Sequence, residues 1–184
     1  MKKDKDNKLL INALISLGIF FLFVLFIVPK YGVNQFDENI RLLDVRVWYT
    51  ANDVTKLFNN LDVNGREAYA SFLLFIDMVY PIVYGVTFIL IIAFILKKRF
   101  AKSSPFLKLA YLPFGIMFFD YVENTNILIL LNQFPAINSS IVILGSVATL
   151  LKWLFALLSI GTIIIVSASL LIRNIFLRPK NQPN

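Results

Sequence analysis

Apolar residues fall into four long runs separated by polar segments, at about residues 9–28, 71–96, 109–131 and 141–172. Each run reaches the roughly 20 residues that an α-helix needs to cross about 30 Å of hydrocarbon. The pattern therefore predicts an all-α fold, an integral membrane four-helix bundle in which residues 1–176 form a single transmembrane domain. Because the fourth run exceeds this length, its helix is expected to tilt or to continue beyond the bilayer.

The first run follows a basic start and admits two interpretations. A cleaved signal peptide has the same order of positive charge and apolar core, but its core is only about 7–15 residues long. Here the core is longer, and Pro29-Lys30-Tyr31 follows it in place of a small-residue cleavage site. The sequence therefore favours a retained first helix.

Lys and Arg are distributed unevenly among the connecting segments. The N-terminal tail carries four Lys residues, and the 97–108 loop carries five Lys or Arg residues and no acidic residue. The 132–140 loop is uncharged, and the 29–70 loop has five basic and six acidic residues. By the positive-inside rule, both termini and the 97–108 loop are cytoplasmic, and we expect the protein in the plasma membrane. Residues 177–184 are predicted to be a disordered cytoplasmic tail.

The 29–70 loop carries enough structural signals to predict a partly structured cap on the outer face of the bundle, the alternative being a mere connector. Residues 43–47 alternate between apolar and charged, which predicts an extended segment. Thr50 and Asp53 have the spacing of a capping box, which predicts a short helix. Asn64-Gly65 predicts the turn that leads into the second membrane helix.

Aromatic residues border the apolar runs on the predicted outer side. Trp and Tyr favour the membrane–water interface, where one end of the ring is wet and the other apolar. We therefore expect to find at that interface Tyr31, Trp48, Tyr49 and Tyr69.

Composition excludes several classes of chemistry. The chain is 58% apolar and 16% charged, whereas soluble domains are about 45–50% apolar. It has no cysteine and no histidine, which excludes disulfides, thiol redox chemistry, imidazole bases and His-ligated zinc or haem. Because these ligands are missing, we expect no metal and no cofactor. We also expect no nucleic-acid partner, because the residues responsible for the net charge of +7 flank the apolar runs, as in membrane proteins.

Four ionisable residues interrupt the apolar runs at similar depths: Asp77, Asp120, Glu123 and Lys152. Each costs about 2.5–3.5 kcal/mol at the centre of a membrane helix. They are tolerable only if they meet each other, water or polar partners. At 100° per residue they share helix faces with further polar side chains, so the faces should converge in the bundle. The candidate ligand-binding residues are Asp77, Tyr80, Tyr84, Asp120, Glu123, Asn124 and Lys152.

Pro81 adds a local feature to this cluster. Proline has no N–H to donate to the carbonyl four residues back, which is that of Asp77. The second helix should therefore kink here, leaving a free carbonyl beside a carboxylate. Such a polar niche could accept a ligand, an ion or water.

Several segments resemble a family of uncharacterised small four-helix integral membrane proteins: residues 65–69, 77–85, 120–124 and 151–153. That resemblance implies that the polar residues form one site but implies no activity. Residues 72–81, an acid followed by an aromatic-proline step, are similar to the start of the second helix in EXPERA-type proteins. These include sterol isomerases and the sigma-2 receptor, and the similarity implies binding of sterol-like amines through intramembrane acids.

Three functions remain open from the sequence. The first is binding of a small amphipathic or lipid-like ligand at the carboxylate and lysine cluster. The second is a membrane enzyme that uses the carboxylates for acid–base chemistry on a lipid. The third is a structural or interaction protein whose polar cluster only packs helices. The expected partners are the lipid bilayer and a lipid-like small molecule, and a homo-oligomer stays an open alternative.

Overall fold

The computed structural model describes residues 2–32 and 40–176, so the tail at 177–184 lies outside the described residues. Within these ranges the chain forms helices and no β-strand. The first helix, α1, runs from Lys2–Leu22 through a π-helical turn at Phe23–Ile27 into Val28–Tyr31. The later helices are α2 (Ala51–Asn60), α3 (Val63–Phe75), α4 (Tyr80–Arg99), α5 (Leu112–Gln133, preceded by a 3-10 turn at Pro105–Tyr111) and α6 (Ser139–Phe176).

Four helical segments are long and apolar enough to cross a membrane, which confirms the all-α integral membrane bundle. They are Asp6–Tyr31, Val63–Arg99, Pro105–Gln133 and Ser139–Ile175. The second segment contains α3 and α4 with a break between them at residues 76–79. At 1.5 Å per residue, the 38 residues of α6 extend for about 57 Å, well beyond the roughly 30 Å of hydrocarbon.

The helices differ in how much of their surface the protein covers. α5 and α6 pack along each other extensively, and α4 contacts α1, α5 and α6. α1 lies at the periphery, with only 6% of its most apolar window buried. α1 packs against α4, and Thr87 Oγ1 of α4 donates a hydrogen bond to the Ser16 carbonyl of α1 at 3.1 Å. A helix that is apolar on all sides can present its remaining surface to lipid.

Two apolar clusters occupy opposite ends of the bundle. One contains Leu43, Phe58 and Ile127 and includes part of the 29–70 loop. The other contains Ile92 and Leu96 near the basic end of α4. We call residues 41–50 the strap. The end of the bundle that contains Leu43, Phe58 and Ile127 is called the strap end. The polar residues of interest lie between the two clusters.

The local predictions for the loop met different outcomes. The capping box of Thr50 and Asp53 is present at the start of α2, as predicted. Residues 43–47 form a turn instead of an extended segment, with Arg46 N donating to the Leu43 carbonyl at 2.9 Å. The turn predicted at Asn64-Gly65 is wrong, because Asp62 accepts from Gly65 N at 2.6 Å and starts α3 there.

The prediction of interfacial aromatic side chains is wrong for two of its four residues and stays a prediction for the other two. Tyr31 and Trp48 are 43% and 49% exposed, as interfacial side chains would be. Tyr49 and Tyr69 are fully buried in the strap-end apolar cluster, so the prediction is wrong for them. The Tyr69 hydroxyl group is hydrogen-bonded to Asp44, whereas the Tyr49 hydroxyl group is buried with no hydrogen-bond partner among the described residues.

Candidate functional site

Lys152 lies at the centre of a buried charged network between the two apolar clusters. Its Nζ is 3.1 Å from Asp120 Oδ1 and forms a second ion pair with Glu123 Oε2. The same amine donates to the backbone carbonyl of Asp44 in the strap at 3.1 Å. Three separate segments of the chain, the strap, α5 and α6, therefore meet at one ammonium group.

The carboxylate oxygens of this network are all satisfied within the chain. Tyr84 Oη donates to Asp120 Oδ2 at 2.7 Å, and Thr149 Oγ1 donates to Glu123 Oε1. Together with the two ion pairs, each oxygen of Asp120 and Glu123 has a partner. Buried charges persist in a protein interior only when they are paired and hydrogen-bonded in this way.

Helix periodicity explains why the network forms. Asp120 and Glu123 are three residues apart on α5, as are Thr149 and Lys152 on α6, so each pair shares one face. The two helices also approach closely where α6 carries a glycine. A Cβ at Gly145 would lie 2.3 Å from the Tyr49 hydroxyl oxygen and 3.3 Å from Asn126 Cβ. A larger residue at this position would require the Tyr49 side chain to shift, so Gly145 permits the close approach of the strap and α5 to α6.

The break between α3 and α4 provides a second polar feature, the one predicted from Pro81. Asp77 N donates to the Phe72 carbonyl, five residues back, at 3.0 Å. Side chains of α5 satisfy carbonyls that the break leaves free: Asn124 Nδ2 donates to the Asp77 carbonyl at 3.1 Å and Tyr121 Oη to that of Met78 at 2.8 Å. The break is thus buttressed by α5.

The carboxyl group of Asp77 differs from those of Asp120 and Glu123. Asp77 is only 6% exposed, yet across residues 2–32 and 40–176 its carboxylate has neither an ion pair nor a side-chain hydrogen bond. Asn124 Oδ1 is also buried with no donor among the described residues. Asn124 is bonded to the Asp77 backbone, so two acceptors that need a donor belong to adjoining residues. We call the site formed by Asp77, Asn124 and Tyr80 at the break the niche.

Tyr80 packs against aromatic side chains of α1 and against Tyr84 of the charged network. Its ring stacks on Phe23 at 5.6 Å and on Phe20 at 6.4 Å between centroids, and it meets Tyr84 edge-on at 5.1 Å. The ring therefore forms an aromatic wall of the niche on the side of α1. The predicted residues thus fall into two groups: Asp120, Glu123, Lys152 and Tyr84 in the network, and Asp77, Asn124 and Tyr80 at the niche.

The strap contributes groups that the sequence analysis did not place in the site. Tyr69 Oη donates to Asp44 Oδ1 at 2.7 Å and accepts from Leu43 N at 3.2 Å. Burial raises the pKa of the Asp44 carboxyl group, against the opposing effect of Lys152. These partners are separated by between 25 and 108 residues, so no local sequence signal could have revealed them.

Residues of α6 hold the strap at two further points. Ser146 Oγ donates to the Tyr49 carbonyl and accepts from Tyr49 N at 3.4 Å. Trp153 Nε1 donates to the Arg46 carbonyl at 3.0 Å. The strap is therefore bound along α6 through its backbone, which satisfies polar groups that would otherwise be costly to bury.

Comparisons with protein-family models, with curated proteins and with solved structures gave no match to this chain. Over residues 2–32 and 40–176, no group of three His, Cys, Asp or Glu side chains is arranged to hold a metal ion. The network and the niche are therefore the features of the chain that bear on its function.

Proposed function

We propose that this multi-pass membrane protein binds a small amphipathic, lipid-like ligand whose cationic head group enters the niche. The observation that carries the proposal is a pair of acceptors that have no side-chain donor among the described residues: the carboxylate of Asp77, a residue only 6% exposed, and the buried Asn124 Oδ1. A protonated amine supplies both the positive charge and the N–H donors that these atoms lack. A buried acceptor left without a donor costs about 1–3 kcal/mol, which such a ligand would recover on binding.

The surroundings of the niche suit the rest of such a ligand. The rings of Phe20, Phe23 and Tyr80 stack on one side, and aromatic faces attract cations as well as apolar chains. Val79 and Ile82, beside the break, are 46% and 49% exposed on a segment that is apolar enough to face lipid. An apolar tail could therefore remain in the bilayer while the head group meets Asp77.

The two halves of the cluster have different roles in this proposal. Lys152, Asp120 and Glu123 satisfy one another and act as a support, while Asp77, Asn124 and Tyr80 contact the ligand. A carboxyl group that acts as a general acid or base must lie within hydrogen-bond reach of the proton that it transfers, directly or through a water. Because the oxygens of Asp120 and Glu123 are occupied within the chain, the geometry supports binding better than this enzymatic alternative.

The test compares an amphipathic amine with a neutral alcohol of the same chain length, by thermal unfolding of the purified protein. The amine should raise the midpoint temperature of unfolding of the native protein as it occupies the niche, and the alcohol should not. Asp77→Asn should abolish the response. Glu67→Gln, which removes the same charge from an exposed position on α3, is the matched control and should leave it unchanged. An equal response in Asp77→Asn would refute the proposal.

One observation favours a structural role as the second candidate. The network is complete without any ligand and joins the strap, α5 and α6. If amine and alcohol stabilise the native protein equally, the whole cluster is best explained as a set of contacts that stabilise helix packing.

A further inference from the structure

A second candidate site lies between the strap and α2, and none of its lining residues belongs to the charged network. A cleft of about 220 Å³ separates the start of the strap from α2. The charged residues that line it are Arg41, Arg46, Asp53 and Lys56. Three cationic side chains thus share the cleft with one carboxylate.

The single carboxylate is already engaged. Asp53 Oδ2 accepts from Thr50 N at 2.8 Å and from Thr50 Oγ1 at 2.6 Å, and its other oxygen is 3.8 Å from Arg46. The Thr50 side chain, chiefly, holds the pKa of Asp53 below its usual value, so the carboxylate remains ionised and committed to the helix cap. The negative charge of Asp53 therefore neutralises the positive charge of Arg46, and the charges of Arg41 and Lys56 remain without a counter-ion among the described residues of the cleft.

Arg46 is fixed, whereas the other two cations have donors to spare. Arg46 Nε and Nη2 donate to the Arg41 carbonyl at 3.2 and 2.7 Å, which holds its guanidinium group at the edge of the cleft. Arg41 makes one contact of 3.4 Å to the Val45 carbonyl. Over residues 2–32 and 40–176 neither Arg41 nor Lys56 has an ion pair. Both are exposed, so their charges are available to an anion.

The same strap places this cleft near the level of lipid head groups. Val45, Val47 and Trp48 are each about half exposed, at 48%, 54% and 49%, directly beyond Arg41 in the chain. Tryptophan next to exposed aliphatic side chains is typical of the membrane–water interface. Arg and Lys at this level meet phosphate oxygens, which Arg can bind in bidentate fashion and Lys as a point charge.

We propose that this cleft binds a phosphoryl oxyanion through Arg41 and Lys56, with Arg46 fixed at its edge. The group comes from the phosphodiester of a phospholipid in the adjacent leaflet or from free phosphate. The site is independent of the amine-binding niche, because no residue lines both.

The test uses the full chain in vesicles of phosphatidylcholine with one-fifth phosphatidylglycerol, followed by native mass spectrometry of retained lipid. Arg41→Gln/Lys56→Gln should lower retention of the anionic lipid by about fivefold for each charge removed. The control Lys102→Gln/Lys108→Gln removes two exposed charges from the basic end of the bundle and should leave retention at the strap end unchanged. Lys56→Gln alone, on an exposed helix position, gives the single-charge effect if the double variant unfolds.

Titration with inorganic phosphate separates the two sources. Phosphate that binds the native protein and displaces the lipid identifies the free ion as a competent ligand. Retention without such competition identifies the lipid phosphodiester. Equal retention in the cleft variant, the control variant and the native protein, with no phosphate binding, would overturn the proposal.

Discussion

At the scale of single residues, the buried charges depend on Lys152. It is paired with both Asp120 and Glu123, and its side chain is only 11% exposed. Removing one member of a buried ionic group leaves the remaining charges desolvated and uncompensated, whereas replacing the whole group by neutral side chains is often tolerated. The three residues should therefore behave as a unit under mutation.

We predict that Lys152→Met lowers the free energy of unfolding by about 3–5 kcal/mol. Adding Asp120→Asn and Glu123→Gln should recover most of this loss, since no charge then remains unpaired in the network. Lys108→Met, at an exposed position, is the control. Unfolding in detergent would measure all three. A Lys152→Met protein as stable as the control would show that the network does not hold the bundle together.

At the scale of elements, α2 depends on its first turn. Thr50 Oγ1 accepts from Asp53 N at 3.3 Å, and the Asp53 carboxylate accepts in return from Thr50 N. This capping box satisfies backbone donors that the helix itself cannot. The helix then buries Val54, Leu57 and Phe58, so the cap positions an apolar face on the strap-end cluster.

We predict that Thr50→Ala destabilises α2 by about 1 kcal/mol, visible as faster hydrogen exchange of its amides. Thr55→Ala, which removes a hydroxyl that bonds only within the helix to the Ala51 carbonyl, is the matched control. Because the folded state lowers the pKa of Asp53, its contribution is complete above the unfolded pKa. That contribution is lost as pH falls through the folded pKa, and this acid sensitivity should be smaller in Thr50→Ala.

Prediction from sequence succeeded for the membrane helices and the capping box, was wrong for residues 43–47 and Asn64-Gly65, and missed the contacts of the strap. The membrane helices follow from runs of apolar residues, and the break near Asp77 follows from the missing N–H of Pro81, which are properties of adjacent residues. The acids and Lys152 could be brought together because helical periodicity places them on single faces. Tyr69, Ser146 and Trp153 could not be assigned to the strap, because their hydrogen bonds depend on how distant segments pack.

At the scale of the whole molecule, the orientation in the membrane remains a prediction from charge. The basic residues at the end of α4, Lys97, Lys98 and Arg99, lie opposite the strap end. The positive-inside rule places them in the cytoplasm. Because the chain has no cysteine, single cysteines can be introduced without competing reactions.

We predict that Asn59→Cys is labelled by a membrane-impermeant maleimide on intact cells. Ser103→Cys should be labelled only after permeabilisation. Both positions are exposed, so accessibility to the reagent depends on the side of the membrane. The cysteine-free parent is the control for background, and the reverse pattern would invert the topology.

The location of Lys152 on α6 also bears on how the protein is made. Ribosomes deliver the chain from its N-terminus, so the helices that carry Asp77, Asp120 and Glu123 reach the membrane before the cation that pairs with two of them. Until α6 is inserted, the nascent chain holds intramembrane acids without their counter-ion, each of which costs about 2.5–3.5 kcal/mol. We therefore expect chains that end before Lys152 to be poorly retained and rapidly degraded, which would make the last helix a checkpoint for complete synthesis.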